Sequence, residues 1–167
     1  MQDKDNVSHS GLDLDEDTIK DKYLTFYIDK QLFGISIVDV VQIVGMQEIT
    51  DVPEFPPYAR GVINLRGTII PIIDVRMRLK EKEIVCDERT CIIVTNIKGS
   101  YIGFIVNSVN EVIDIYNEDI SDPPQIGNDY VNTYVTGIAK LSDNIVLLID
   151  LKKILNEKEL GLITNID

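Results

Sequence analysis

Short apolar runs separated by polar turns dominate the chain. The runs fall at 23–29, 32–37, 62–65, 68–73, 90–97, 101–106, 134–141 and 145–150, rich in Ile, Val, Tyr and Phe. Runs of about four to eight such residues predict β-strands. Asp29-Lys30-Gln31, Arg66-Gly67 and the stretch from Asn96 to Ser100 each separate two runs by a hairpin's distance, which predicts antiparallel pairing of neighbours. The long helices that parallel βαβ units require are missing from the pattern. One helix is predicted over 151–160, with Leu151, Ile154 and Leu155 on one face and Asn156, Glu157 and Lys158 opening the polar one.

The pattern also repeats. Residues 61–75, GVINLRGTIIPIIDV, align without a gap on residues 137–151, GIAKLSDNIVLLIDL, with glycine, leucine, aspartate and the apolar positions coinciding. Upstream, Leu32-Phe33-Gly34-Ile35 followed by 40–44 is matched by Tyr101-Ile102-Gly103-Phe104 followed by 109–113, and each copy leads into a proline segment. Two copies of one small β unit are therefore expected, over about 23–85 and 86–160. Each is of a size at which a single core is marginal, so the two must share apolar surface. The expected architecture is all-β: two small barrels packed together, one per repeat.

Composition supports that reading. Ile and Val contribute 43 residues while Ala occurs only at Ala59 and Ala139, and β-branched side chains favour pleated sheet. With 28 acidic against 16 basic residues the net charge is −12, a field that repels nucleic acid and anionic lipid. Residues 1–22 hold seven acids against three lysines, a net −4, and read as a flexible acidic arm; 161–167 reads as a short tail. The longest apolar run, Ile145 to Ile149, is far short of the roughly 18 residues of a membrane helix, and the first residues lack a signal peptide's pattern. A cytoplasmic location is expected.

Candidate chemistry is sparse. His9 is the one histidine and lies in the acidic arm, so a nucleophile has no base beside it and a zinc site has too few ligands. Cys86 and Cys91 read as reduced, passive thiols. No Gly-rich phosphate loop opens a helix, Asp15-Glu16-Asp17 lacks EF-hand spacing, and the pair Glu118-Asp119 reads as solvated. No catalysis, cofactor or metal is expected.

The block Gly61-Val62-Ile63-Asn64-Leu65-Arg66-Gly67-Thr68-Ile69-Ile70-Pro71-Ile72-Ile73-Asp74-Val75-Arg76 resembles the signature of the CheW-type chemotaxis coupling proteins. Colinear flanks at 27–45, 90–114, 134–138 and 149–155 extend the resemblance over roughly 23–160. It implies two interleaved five-stranded SH3-like barrels and a non-enzymatic adaptor. Members of that family bridge the cytoplasmic tips of chemoreceptors to the histidine kinase CheA in membrane-associated arrays, meeting the kinase through its regulatory domain. The same module closes CheA itself and precedes a receiver domain in CheV-type proteins; the length of this chain favours a free-standing coupling protein. An SH3-like ligand binder or enzyme is the remote alternative, which a pocket with convergent polar groups would mark.

The resemblance also implies a receptor-binding region at Val40, Gln42, Ile43, Gly61, Asn64 and Arg66. The family commonly pairs the arginine at position 66 with a glutamate on the segment after the second strand, where this chain has Gln42, which can accept a hydrogen bond but brings no charge. Val40, Val41 and Ile43 are too many apolar side chains for one short segment to hide, which leaves some exposed for contact. A groove between the two barrels is the expected seat for a receptor's helical hairpin. Gly61 and Asn64 also have plain structural readings, a sharp strand entry and a turn brace.

Overall fold

The computed structural model describes residues 19–80, 85–123 and 134–164. Residues 1–18 of the arm expected at 1–22, and 165–167 of the tail expected at 161–167, lie outside the described residues; Lys22 already belongs to the first strand. Among the described residues eleven strands form two sheets. In chain order they are β1 (Lys22–Ile28), β2 (Gln31–Ser36), β3 (Val40–Gly45), β4 (Ala59–Leu65), β5 (Thr68–Asp74), β6 (Cys91–Ile97), β7 (Ser100–Val106), β8 (Ser108–Asp114), β9 (Ile120–Ser121), β10 (Val135–Leu141) and β11 (Asn144–Ile149). Helix α1 (Val75–Lys80) follows β5, and α2 (Glu157–Thr164) closes the described chain. The three expected hairpins, β1–β2, β4–β5 and β6–β7, all form with antiparallel pairing.

The sheets do not follow the repeats. One sheet runs β8-β1-β2-β11-β10-β9 and the other β3-β6-β7-β5-β4. Each takes the first two strands of one repeat and the remaining strands of the other, four in the first sheet and three in the second, so the division at 85/86 is not a division between barrels. The expectation of one barrel per repeat is corrected to an internal exchange, in which the SH3-like barrels are interleaved. The first sheet has a sixth strand, the two-residue β9, beyond the expected five. Two parallel seams join the exchanged parts, β2 beside β11 and β7 beside β5. At each seam a glycine faces the partner strand, Gly34 opposite Leu148 and Gly103 opposite Ile72. A Cβ on Gly103 would lie 2.7 Å from both Ile72 Cδ1 and Ile92 Cγ2, so only glycine lets that seam close without displacement.

Burial explains why the exchange is stable. Strands with apolar residues on both faces must be covered on both. In β6, Ile92 and Val94 point into a small cluster with Ile63, Ile70, Ile72 and Ile105, the interior of the second barrel. Ile93 and Ile97 point the other way, into a cluster of nineteen buried residues that also takes Leu24, Phe26, Phe33, Phe104, Leu151 and Ile163. Leu32, Ile115, Ala139, Val146 and Leu148 fill the first barrel. The largest apolar cluster is thus the one shared between the sheets, and neither sheet can be withdrawn without exposing it.

The helix prediction over 151–160 is corrected. Residues Leu151–Lys153 form a 3-10 turn capped by Asp150, whose carboxylate accepts from the Lys152 N–H at 3.0 Å. The α-helix starts only at Glu157, because Asn156 and Glu159 form a reciprocal cap: the Glu159 N–H donates to Asn156 Oδ1 at 2.7 Å and the Asn156 N–H to Glu159 Oε1 at 3.0 Å. The helix then runs past 160 and buries Ile163 completely in the shared core.

Candidate interaction site on the barrel rim

The turn between β4 and β5 holds Arg66 and Gly67, both with positive φ, 56° and 91°. A two-residue hairpin needs that geometry to match strand twist. Asn64 braces it, its Oδ1 accepting from the Gly67 N–H at 2.7 Å, and Asn96 repeats the device with Gly99 at 3.0 Å in the β6–β7 hairpin. Asn64 therefore has the turn-stabilising role its residue type suggests, and it presents Arg66 at a fixed tip.

The edge strand β3, read from sequence only as a short segment, faces this tip. A register shift between Val40 and Gln42 changes which side the strand presents: Val40 packs on the shared core, whereas Val44 packs on the interior of the second barrel. Val41 and Ile43 are left 48% and 43% exposed. Val41 and Gln42 line an open cavity of about 220 Å³ with Leu65, Arg66, Thr68, Ile70, Val94 and Tyr101. Gln42 and Arg66 are thus brought together, although the Arg66 guanidinium makes no hydrogen bond or ion pair among the described residues. Every residue lining this cavity belongs to the second sheet or its hairpin, so the cavity sits at the mouth of one barrel rather than between the two.

Gly61 and Asn64 do not line that cavity. Gly61 has φ 136°, and a Cβ there would lie 2.1 Å from the Thr50 carbonyl oxygen. The Thr50 and Val62 backbones exchange two hydrogen bonds of 2.9 Å at this point, so Gly61 is fixed by close backbone approach. Two residues outside the expected receptor-binding set belong to the rim, Tyr101 and Ile69, which are 42% and 52% exposed. A second cavity shares Thr68 and Tyr101 with the first, and a third shares Ile69 with the second and adds Leu162. The three cavities adjoin through these shared residues and form an open strip of mixed apolar and polar lining with Arg66 at one end. Both residues sit in strands whose pattern reads as core; their places beside the turns at 66–67 and 98–99 were the available signal.

At the end of β5 opposite the Arg66 turn lies a buried charge cluster. Asp74 and Arg76 are both 0% exposed. Arg76 Nε donates to Asp74 Oδ1 at 2.8 Å and Nη2 to Oδ2 at 2.9 Å, while the Arg76 N–H also donates to Oδ1 at 3.0 Å. Arg60 Nη1 from β4 adds a contact of 3.4 Å. Burial opposes the Arg76 charge, but the hydrogen bonds and charge of Asp74 outweigh it and raise its pKa. The repeat partner Asp150 keeps the backbone cap and turns toward solvent instead. Sequence reasoning places an arginine outside by default, which is why this cluster was missed.

Because Gln42 shares a cavity with Arg66, Gln42→Glu is expected to raise stability by no more than about 1 kcal/mol, the range of exposed ion pairs. Urea titrations at low and high salt check this; the gain should shrink with salt and vanish in an Arg66→Ala background.

Fold and site together define a double-barrel, all-β module with an open, partly apolar, arginine-edged rim. Comparison with known proteins gives the family: the CheW-like domain model matches residues 22–159, and the chain belongs to that family. The chemotaxis protein CheW of Klebsiella aerogenes is 31% identical over 150 residues, covering 90% of each chain. That of Treponema pallidum is 29% identical over 147 residues, 86% of each. The crystal structure of the scaffolding protein TtCheW from Thermoanaerobacter tengcongensis superposes with a TM-score of 0.76 at 36% identity, over 84% of this chain and 97% of that one. The chain is thus a CheW-type chemotaxis scaffold. Among the described residues no helix is long and apolar enough to cross a membrane.

Proposed function

We propose that this chain is a non-catalytic coupling adaptor, holding the cytoplasmic tip of a chemoreceptor on the Arg66 rim and the regulatory domain of the histidine kinase CheA on a separate surface. The observation that carries the receptor half is the co-location of Val41, Gln42, Arg66 and Tyr101 around one open, partly apolar cavity at the edge of the second sheet. A helical hairpin presents apolar side chains at i, i+3, i+4 and i+7, and such a stripe needs an exposed apolar strip to lie on. Val41, Ile69, Tyr101 and Leu162 supply one, and Arg66 adds a charge that fixes orientation at its edge. Ile43 is a further exposed apolar side chain of β3 that lines none of these cavities, while Val40, Gly61 and Asn64 act by holding β3 and the hairpin in place. Recruitment to membrane-associated receptor arrays follows from binding the receptor tip, without insertion of this chain into lipid.

Signal transfer requires that each partner bind the adaptor differently in the two kinase states. Isothermal titration of the purified chain against a receptor-tip fragment and, separately, against a CheA regulatory domain tests the reading. Both are expected to bind, and prior saturation with one should leave a site for the other. Failure of either partner to bind, or mutual exclusion, overturns the adaptor role.

A further inference from the structure

The sequence reading leaves Cys86 idle, but the structure places its sulfur against the buried cluster. Arg76 Nη2 approaches Cys86 Sγ at 3.6 Å, and the other terminal nitrogen, Nη1, is buried with no hydrogen-bond partner among the described residues. Cys86 is exposed. The turn that follows holds it in place: the Asp87 N–H donates to Thr90 Oγ1 at 2.9 Å and the Arg89 N–H to Asp87 Oδ1 at 2.8 Å. A guanidinium with unused donors beside an accessible sulfur is suited to an oxygen anion carried on that sulfur.

We propose that Cys86 is a peroxide-modification site whose sulfenate is retained by the Arg76 guanidinium. The thiolate attacks the hydroxyl oxygen of a hydroperoxide, the S–O bond forms and the O–O bond breaks, and the leaving oxygen departs as hydroxide or alkoxide and takes the proton of the new S–OH group, leaving the sulfenate and water or an alcohol. Sulfur loses two electrons and the peroxide gains them. The new sulfenate oxygen accepts from Nη1 without releasing Nε or Nη2 from Asp74. A low-molecular-weight thiol reverses the change, first forming a mixed disulfide with loss of water and then exchanging it with a second thiol. Cys91 is the less available sulfur, since burial pushes its thiol pKa up.

The full-length chain is treated with one equivalent of hydrogen peroxide, labelled with dimedone after increasing delays, and mapped by peptide mass. The dimedone adduct is expected on Cys86, in wild type and in Cys91→Ser alike. The trapped species should decay about tenfold more slowly in the native protein than in urea, the factor expected of one hydrogen bond to a charged group. Arg76→Lys, which keeps the charge but removes Nη1, should lose that protection; if it fails to fold, the native-against-urea comparison stands alone. An adduct on Cys91, a Cys86–Cys91 disulfide as the main product, or equal lifetimes in the native and unfolded chains would overturn the proposal.

Discussion

Asp74→Ala is expected to lower unfolding stability by about 3–5 kcal/mol, because it leaves a buried guanidinium without its anion. The carboxylate serves two groups at once. It neutralises Arg76 through two side-chain hydrogen bonds, and it caps the first turn of α1 by accepting from the Arg76 N–H. Arg60 approaches Oδ2 from β4 at 3.4 Å but its side chain is 35% exposed, so the penalty falls chiefly on the fully buried Arg76. A urea titration reads the loss as a lower midpoint at unchanged slope. Replacing both partners with apolar residues of similar volume, Asp74→Leu with Arg76→Met, should cost clearly less than the sum of the single changes, since no orphan charge remains. A loss below about 1 kcal/mol for Asp74→Ala would mean that water reaches Arg76 and the cluster is not buried.

A larger effect is expected when the repeats are separated. Residues 1–84 and 85–167, produced as two chains, should each lack cooperative folding, and mixing them should restore it. Each half donates its first two strands to the other's sheet, so a lone half has β1–β2 without β8 and β11, or β6–β7 without β3 and β5. It also exposes its side of the nineteen-residue shared cluster, more apolar surface than a unit of that size can leave in water. The intact chain should accordingly melt in one transition by calorimetry, with van't Hoff and calorimetric enthalpies equal. Two transitions, or a half that melts cooperatively alone, would show one barrel per repeat after all.

These results also mark what the sequence makes legible. The eight apolar runs became strands because β-branched residues and Asn, Asp and Gly turns act locally, within a hairpin's reach. The repeat of 61–75 in 137–151 identified equivalent strands, but equivalence does not say which copy a strand pairs with. β3 escaped because Val40-Val41-Gln42-Ile43-Val44 carries apolar residues on both faces across a bulge, which breaks the period of two. Asn156 looked like the start of a polar helix face when it is a cap, for the two differ only in backbone geometry. The site divides in the same way. Arg66 and Gln42 were legible as candidates through the family signature, whereas Tyr101 and Ile69 were hidden in core-like strands. The Asp74–Arg76 pair has no periodic trace, since two residues of opposite charge two apart occur in any solvated loop.

The adaptor reading is tested most directly by Arg66→Glu, measured for binding to both partners. The side chain is exposed and makes no contact on which the fold depends, so the melting temperature should hold and the stability cost should stay within about 0.5 kcal/mol. Because a rim charge that orients a partner is reversed, titration should show receptor-tip binding weakened about tenfold or more, with affinity for the CheA regulatory domain unchanged. Unaltered receptor binding by a folded Arg66→Glu protein, or equal losses toward both partners, would contradict the assignment of this rim to the receptor.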